Sequence, residues 1–170
     1  TTAAGAISAA DVATLTADGN IALLAGVTAD AITMTALGSV SVTTLTAGAG
    51  DVTVDAGTTI TATGLVQASS DVLMNAGGDI GVAAVTATNG DVTIDSGEDF
   101  TNSGAILGGN DVTIIGDQSI VTSGTVTATA GTLSLIGGLI DTNTNGQALT
   151  ATAGAVVVNG TTVGLAAVTA

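Results

Sequence analysis

Four aspartates recur at intervals of 20 residues and are the most regular feature of the chain: Asp51, Asp71, Asp91 and Asp111. If the segments that they open stack as parallel strands, neighbouring carboxylates lie roughly 5 Å apart. Aspartates in such places commonly cap backbone N–H groups of their own turn, which is the role we expect here. The alternative is cation binding, because stacked like charges repel one another unless a counterion lies between them.

A second group of carboxylates falls beside one glycine-rich corner in three successive repeats: Asp79, Glu98, Asp99 and Asp117. Calcium takes six to eight oxygen ligands, and four carboxylates supply a large part of such a set. The group is therefore a candidate Ca²⁺ site, and a solvated acidic corner is the alternative. The spacing differs from the Gly-Gly-x-Gly-x-Asp repeat of calcium-binding β-rolls.

The residues available for catalysis are few. The chain has no His, Lys, Arg, Cys, Tyr or Trp, so only carboxylates and hydroxyls remain as bases or nucleophiles. A glycosidase needs only two carboxylates, but this chain has no Trp or Tyr on which a sugar ring could stack and no Arg to hold an acidic polysaccharide. We therefore expect that the protein is not an enzyme.

The charge balance excludes several partners. Fourteen acidic residues and no basic ones give a net charge of −14, whereas nucleic acids and anionic membranes are bound through Lys and Arg. Apolar residues make up 46% of the chain and the mean hydropathy is +0.69, so a core can form. No apolar run approaches the ~18 residues of a membrane helix, so membrane insertion is not expected.

The 20-residue period predicts the elements that position these carboxylates. Residues 1–10 form a partial lead-in, and residues 11–170 divide into about eight repeats of ~20 residues within a single domain. The predicted repeat starts are Asp11, Asp30, Asp51, Asp71, Asp91, Asp111, Gly131 and Gly154.

Each repeat reads as three short strands separated by turns. In the first strand, apolar residues alternate with polar ones, as in Val92-Thr93-Ile94-Asp95. A glycine-rich corner follows, and apolar anchors then recur in the second strand (Ile60, Ile80, Phe100, Ile120) and in the third (Val66, Val85, Ile106, Val126). Parallel stacking keeps each inward residue over its equivalent, and parallel crossovers are right-handed in ~98% of cases. We therefore predict an all-β, right-handed parallel β-helix, with one repeat in each coil.

The residues from Gly90 to Gly116 (GDVTIDSGEDFTNSGAILGGNDVTIIG) resemble the repeats of filamentous-haemagglutinin-type bacterial exoproteins. The similarity is carried by Asn102-x-Gly104-x-Ile106 and the Asp-Val-Thr-Ile that follows. It implies a large β-helical rod that is secreted or held at the bacterial cell surface, often as an adhesin.

A β-helix leaves unpaired backbone at its first and last coils, and natural proteins normally cover such edges. Neither 1–10 nor 163–170 has the composition of a polar cap. We therefore expect the coils to be continued, either by more repeats of the chain or by head-to-tail copies. The predicted function is a segment or subunit of an extracellular fibre. The alternative is an adhesin shaft that binds glycans or a host surface.

Overall fold

The computed structural model describes residues 2–3, 5–142 and 147–170. Every regular element in these ranges is a β-strand, and no helix occurs among them. The strands are β1 (Thr2–Ala3), β2 (Ile7–Ser8), β3 (Val12–Ala17), β4 (Ile21–Leu23), β5 (Val27–Ala29), β6 (Ala31–Ala36), β7 (Val40–Val42), β8 (Leu45–Ala47), β9 (Val52–Ala56), β10 (Ile60–Ala68), β11 (Val72–Ala76), β12 (Ile80–Ala87), β13 (Val92–Ser96), β14 (Asp99–Asn102), β15 (Ile106–Gly108), β16 (Val112–Thr122), β17 (Val126–Ala128), β18 (Leu133–Asp141), β19 (Ala148–Ala151), β20 (Val156–Gly164) and β21 (Ala167–Thr169).

Equivalent strands of successive coils pair in parallel. Strand β11 lies between β9 and β13, with Val72 opposite Val52 on one side and Val92 on the other. The same arrangement continues from β3 to β20 through about eight coils. The chain is therefore an all-β parallel solenoid, as its period predicts.

The strand boundaries differ from coil to coil. The coil that begins at Asp91 has three separate strands, β13, β14 and β15. In the next coil, β16 continues from Val112 through the glycine corner to Thr122, and only β17 remains separate. In β10 and β12, by contrast, the second and third segments of the coil are joined.

Aliphatic side chains stack in columns inside the solenoid because the parallel register places each one over its equivalent. The first strands contribute two such columns, which contain Val92 and Ile94 and are almost entirely buried. The second strands contribute the predicted column Ile60, Ile80, Phe100 and Ile120, and the third strands contribute Val66, Val85, Ile106 and Val126. All eight of these side chains are at most 1% exposed, so they form one continuous core.

Four of the predicted repeat starts are wrong by one residue: Asp11, Asp30, Gly131 and Gly154. The sequence suggests that Gly131 and Gly154 replace the aspartate, but the register places Thr132 above Asp111 and Ala155 above Thr132. A similar shift occurs early in the chain, where the residue opposite Asp51 is Ala31 instead of Asp30 and the residue opposite Ala31 is Val12 instead of Asp11. The physical reason is that the corners differ in length: the inward residues Val27 and Ile32 are five positions apart, whereas their partners Leu45 and Val52 are seven apart.

One inward column changes from apolar to polar along the rod. It begins with Val42, Ala62 and Val82 and continues with Asn102 and Thr122. Asn102 Nδ2 donates to the carbonyl of Gly104, whereas Asn102 Oδ1 and Thr122 Oγ1 have no hydrogen-bond partner. A buried polar atom without a partner lowers stability by about 1–3 kcal/mol.

Thr122→Val should therefore stabilise the protein. The substitution removes an unpaired buried hydroxyl and keeps the shape of the side chain, and Val82 already occupies the same column. We expect a gain of up to about 1 kcal/mol in unfolding free energy, measured by urea or thermal denaturation. Thr86→Val, on the outer side of β12, is the control and should change stability by less than about 0.5 kcal/mol. A lower unfolding midpoint for Thr122→Val would contradict this account.

Candidate functional site

The aspartates of the 20-residue ladder lie at the corner that precedes the first strand of each coil. Asp91 follows Asn89-Gly90 and comes directly before β13, in which Val92 and Ile94 point into the core. Because side chains alternate along a strand, the buried valine fixes the aspartate on the outer side of the corner. Asp51 and Asp71 are exposed there, and Asp91 and Asp111 are partly buried.

Each of these carboxylates accepts a hydrogen bond from the backbone of the next coil. The distance from Asp51 Oδ1 to the backbone N of Asp71 is 3.1 Å, and the corresponding distance from Asp71 to Asp91 is 2.8 Å. Asp91 Oδ1 lies 3.0 Å from the N of Asp111, and Asp111 Oδ1 lies 2.6 Å from the N of Thr132. We call this chain of side chain–backbone contacts the aspartate ladder.

The aspartates therefore cap backbone N–H groups, but the expected partner was wrong. Each carboxylate accepts from a backbone N–H of the next coil instead of one in its own turn. The backbone hydrogen bonds around Asp71 show the reason. The N–H of Ser70 donates to the carbonyl of Gly50, and the carbonyl of Asp71 accepts from the N–H of Val52. The N–H of Asp71 lies between these two bonds and takes part in neither. The Asp51 carboxylate accepts from that N–H, so the inter-coil hydrogen bonding continues around the corner.

Glycines leave the space that two of these carboxylates, those of Asp71 and Asp111, occupy. A Cβ placed on Gly90 would overlap with Asp71 Oδ1 and would lie 2.7 Å from the carbonyl carbon of Ser70. A Cβ on Gly131 would overlap with Asp111 Oδ1 in the same way. In the pairs Gly90-Asp91 and Gly131-Thr132, the second residue donates its N–H to the carboxylate of the preceding coil. The glycine leaves the space that this carboxylate requires.

A related arrangement at the second corner was missed by the sequence analysis. The N–H of Ser39 donates to Asn20 Oδ1 at 2.9 Å, and the N–H of Asp99 donates to Asp79 Oδ1 at 3.2 Å. Asp99 Oδ1 in turn accepts from Ser119 Oγ at 2.7 Å. A short polar residue placed 19 or 20 residues before a serine or aspartate is the signal that would have identified this corner.

The candidate calcium residues lie at this second corner. Asp99 stands directly above Asp79, and both carboxylates accept hydrogen bonds from protein donors. Glu98 and Asp117 lie in neighbouring columns and are exposed. Within the part of the chain that the structure describes, no group of three or more carboxylates is gathered closely enough to hold a metal ion. Calcium binding by Asp79, Glu98, Asp99 and Asp117 remains a prediction.

A groove of about 550 Å³ lies on the outer side of the second strands and of the turns that follow them. We call it the hydroxyl groove because threonine and serine are its commonest lining residues. Gly81 and Ala83 lie between the Thr61/Thr63 pair of the preceding coil and the Thr101/Ser103 pair of the following coil. The lining residues are Thr61, Ala62, Thr63, Gly81, Val82, Ala83, Thr101, Asn102, Ser103, Val121 and Ser123.

Comparison of the chain with protein-family models, with curated proteins and with solved structures gave no match. The resemblance to filamentous-haemagglutinin-type repeats therefore remains a prediction from the residues between Gly90 and Gly116. None of the described elements is a helix long and apolar enough to cross a membrane.

Asp91→Ala should destabilise the rod because Asp91 Oδ1 accepts from the backbone N–H of Asp111 and from Asn110 Nδ2 at 2.8 Å. Hydrogen bonds to charged groups contribute about 1.5–3 kcal/mol, so we expect a loss in that range by chemical denaturation. Asp91→Asn keeps the acceptor oxygen and should lose less.

Asp95→Ala is the matched control for this experiment. It removes the same charge from the same strand region, and Asp95 is exposed without a hydrogen bond among the residues described. Its stability should change by less than about 0.5 kcal/mol. Equal losses for Asp91→Ala and Asp95→Ala would show that charge alone, and not the inter-coil hydrogen bond, explains the effect.

Proposed function

We propose that this protein is a structural rod, a segment or subunit of a fibre that extends by stacking coil on coil. The observation that carries the proposal is the unbroken parallel register, in which the first-strand columns continue from Ala13 and Leu15 to Val156 and Val158. Each coil thereby presents to the next one the same pattern of backbone groups and aliphatic side chains. Eight such coils make a rod roughly 40 Å long at ~4.8 Å per coil.

The proposed rod is right-handed and has three sides. The handedness follows from the strong preference of parallel crossovers for the right-handed path. The three sides follow from the three apolar segments of each coil, even where adjacent segments join into one strand, as in β16.

Stacking can continue at both ends because strand edges there have no partner among the described strands. Strand β3 pairs only with β6, and β20 pairs only with β18. If another copy followed β20 in the same register, Val156 would meet Ala13 and Val158 would meet Leu15. In that register Val168 would meet Val27 at the third strands, and β1 and β2 of the added copy would have to be displaced from beneath β4 and β5. Aliphatic columns would thus continue across the joint, and unpaired edges of this kind readily accept further strands.

The partner in this proposal is therefore either further repeats of the same chain or a head-to-tail copy. We place the fibre outside a bacterial cell, secreted or held at the cell surface, on the basis of the repeat resemblance. Its acidic flanks favour separate rods over bundles, since like charges on neighbouring rods repel unless divalent cations bridge them. The role is structural instead of enzymatic because the chain lacks His, Lys, Cys and Tyr.

The alternative function, an adhesin shaft that binds glycans or a host surface, is favoured by one observation. The hydroxyl groove is a concave surface on the side of the rod, where a ligand would not interfere with stacking at either end.

Val158→Asp tests the stacking because Val158 points inward in the last coil and packs against the core. We expect the unaltered protein to form oligomers or filaments as its concentration rises, measured by light scattering and electron microscopy with and without a chelator. Val158→Asp places a charge in the joint and should abolish this association. Val157→Asp, on the adjacent outward position that is 46% exposed, is the control and should associate normally.

Circular dichroism of both variants checks that the strands remain folded. A protein that stays monomeric at high concentration would contradict the stacking proposal. Association that is equal for Val158→Asp and Val157→Asp would contradict the proposed joint. If the chelator alone dissolves the filaments, divalent cations contribute to the assembly, and the four predicted calcium residues are then the first to substitute.

A further inference from the structure

The hydroxyl groove has a floor of small residues and two polar rims. Gly81 and Ala83 form the floor, the side chains of the coils before and after lie on either side, and the lining reaches Val121 and Ser123 one coil further. The rims are two coil spacings apart, which is roughly 10 Å. The column that contains Gly81 shows how the groove arises, since it has hydroxyl side chains at Ser41, Thr61 and Thr101 and none at Gly81.

The side chains on the rims have hydrogen-bonding capacity to spare. The hydroxyls of Thr61, Thr63, Thr101 and Ser103 are on exposed residues and make no hydrogen bond within the described part of the chain. The backbone of the central coil has little capacity left, because β12 pairs with β10 on one side and with β14 and β15 on the other. The lining surface is mostly apolar, and the polar groups that a ligand in the groove would meet are mainly hydroxyls, each of which can both donate and accept.

The charge of the groove differs from that of the rest of the rod. The chain has a net charge of −14, yet the residues that line the groove include no carboxylate. The chain also has no basic residue that could hold an anion. An anionic ligand would be repelled by the surrounding field and would find no cationic partner, so the groove favours an uncharged, hydrogen-bonding ligand.

From these observations we propose that the hydroxyl groove binds a neutral oligosaccharide. Sugar hydroxyls both donate and accept hydrogen bonds, which matches the threonine and serine side chains of the two rims. A volume of about 550 Å³ falls within the usual range of ligand sites, ~300–1,000 Å³. The lining includes no aromatic side chain, so binding is weak at one groove and gains strength when several rods act together. This inference rests on the alternative function proposed above, a shaft that binds glycans, and does not depend on head-to-tail stacking.

Gly81→Thr is the sharpest test of the groove. A Cβ on Gly81 would lie 3.5 Å from Thr101 Oγ1, which is an ordinary contact, and threonine already occupies the same column in the coils before and after. The variant should therefore fold normally while it fills the floor of the groove. Thr86→Val, on the neighbouring outer surface of β12, is the control, because it removes a hydroxyl that does not line the groove.

The probes are the neutral tetrasaccharides of glucose and of N-acetylglucosamine, β-linked and α-linked, together with a sialylated trisaccharide as the anionic comparison. Binding is measured by saturation-transfer NMR and titration calorimetry up to millimolar ligand. We expect at least one neutral probe to bind the unaltered protein and Thr86→Val equally, and to bind Gly81→Thr at least tenfold more weakly. Thr101→Val should also weaken binding, since it removes a rim hydroxyl.

Three results would overturn the proposal: no binding of any neutral probe at millimolar concentration, equal binding by Gly81→Thr, or preferential binding of the sialylated probe. Light scattering on the same samples reports the assembly state separately. Loss of sugar binding with normal association, or the reverse, would therefore show which of the two proposals fails.

Discussion

The parallel hydrogen-bond ladder between coils is the constraint on which the whole molecule depends. It holds each residue opposite its equivalent about 20 residues away, as in the alignment of Val72 with Val52 and Val92. Because side chains alternate along a strand, this register also decides which of them reach the core and which remain in solvent. Aliphatic columns, polar columns and the hydroxyl groove are all consequences of the same vertical alignment.

A solenoid must also maintain this register at its corners, where the backbone bends and the regular ladder cannot continue. The aspartate ladder solves the problem with side chains, since Asp71 and Asp91 accept N–H groups that the bent backbone leaves over. The small neighbours at this corner, such as Gly90, give the carboxylates the necessary room. Several acidic residues of the chain thus have a local structural use as hydrogen-bond acceptors between coils.

The outer surface is less regular than the core, and this irregularity gives the protein its candidate binding site. A stacked array of identical coils would present flat, continuous columns. Gly81 interrupts one of them, so the rims that Thr61 and Thr101 contribute enclose a groove in the side of the rod. A ligand in this groove would leave the proposed end-to-end contacts of the rod undisturbed.

The sequence by itself determined the fold class, the period and the core, because these depend on interactions that repeat with the spacing of the residues. The anchors Ile80 and Phe100 could be assigned to one column from their separation alone, and the structure confirms it. Single-residue differences in corner length could not be located from the period. The sequence therefore placed the start of one coil at Gly131, whereas the register places it at Thr132.

The tertiary structure alone decided the contacts across the stack. A sequence repeat does not show whether the carboxylate of Asp91 accepts from its own corner or from the N–H of Asp111 in the next coil, which is the contact that the structure has. It also does not show that the glycine at 81 opens a groove between two coils, because that space exists only once three coils lie side by side. Period and hydrophobic pattern are properties of one chain segment, whereas these contacts depend on how neighbouring segments face each other.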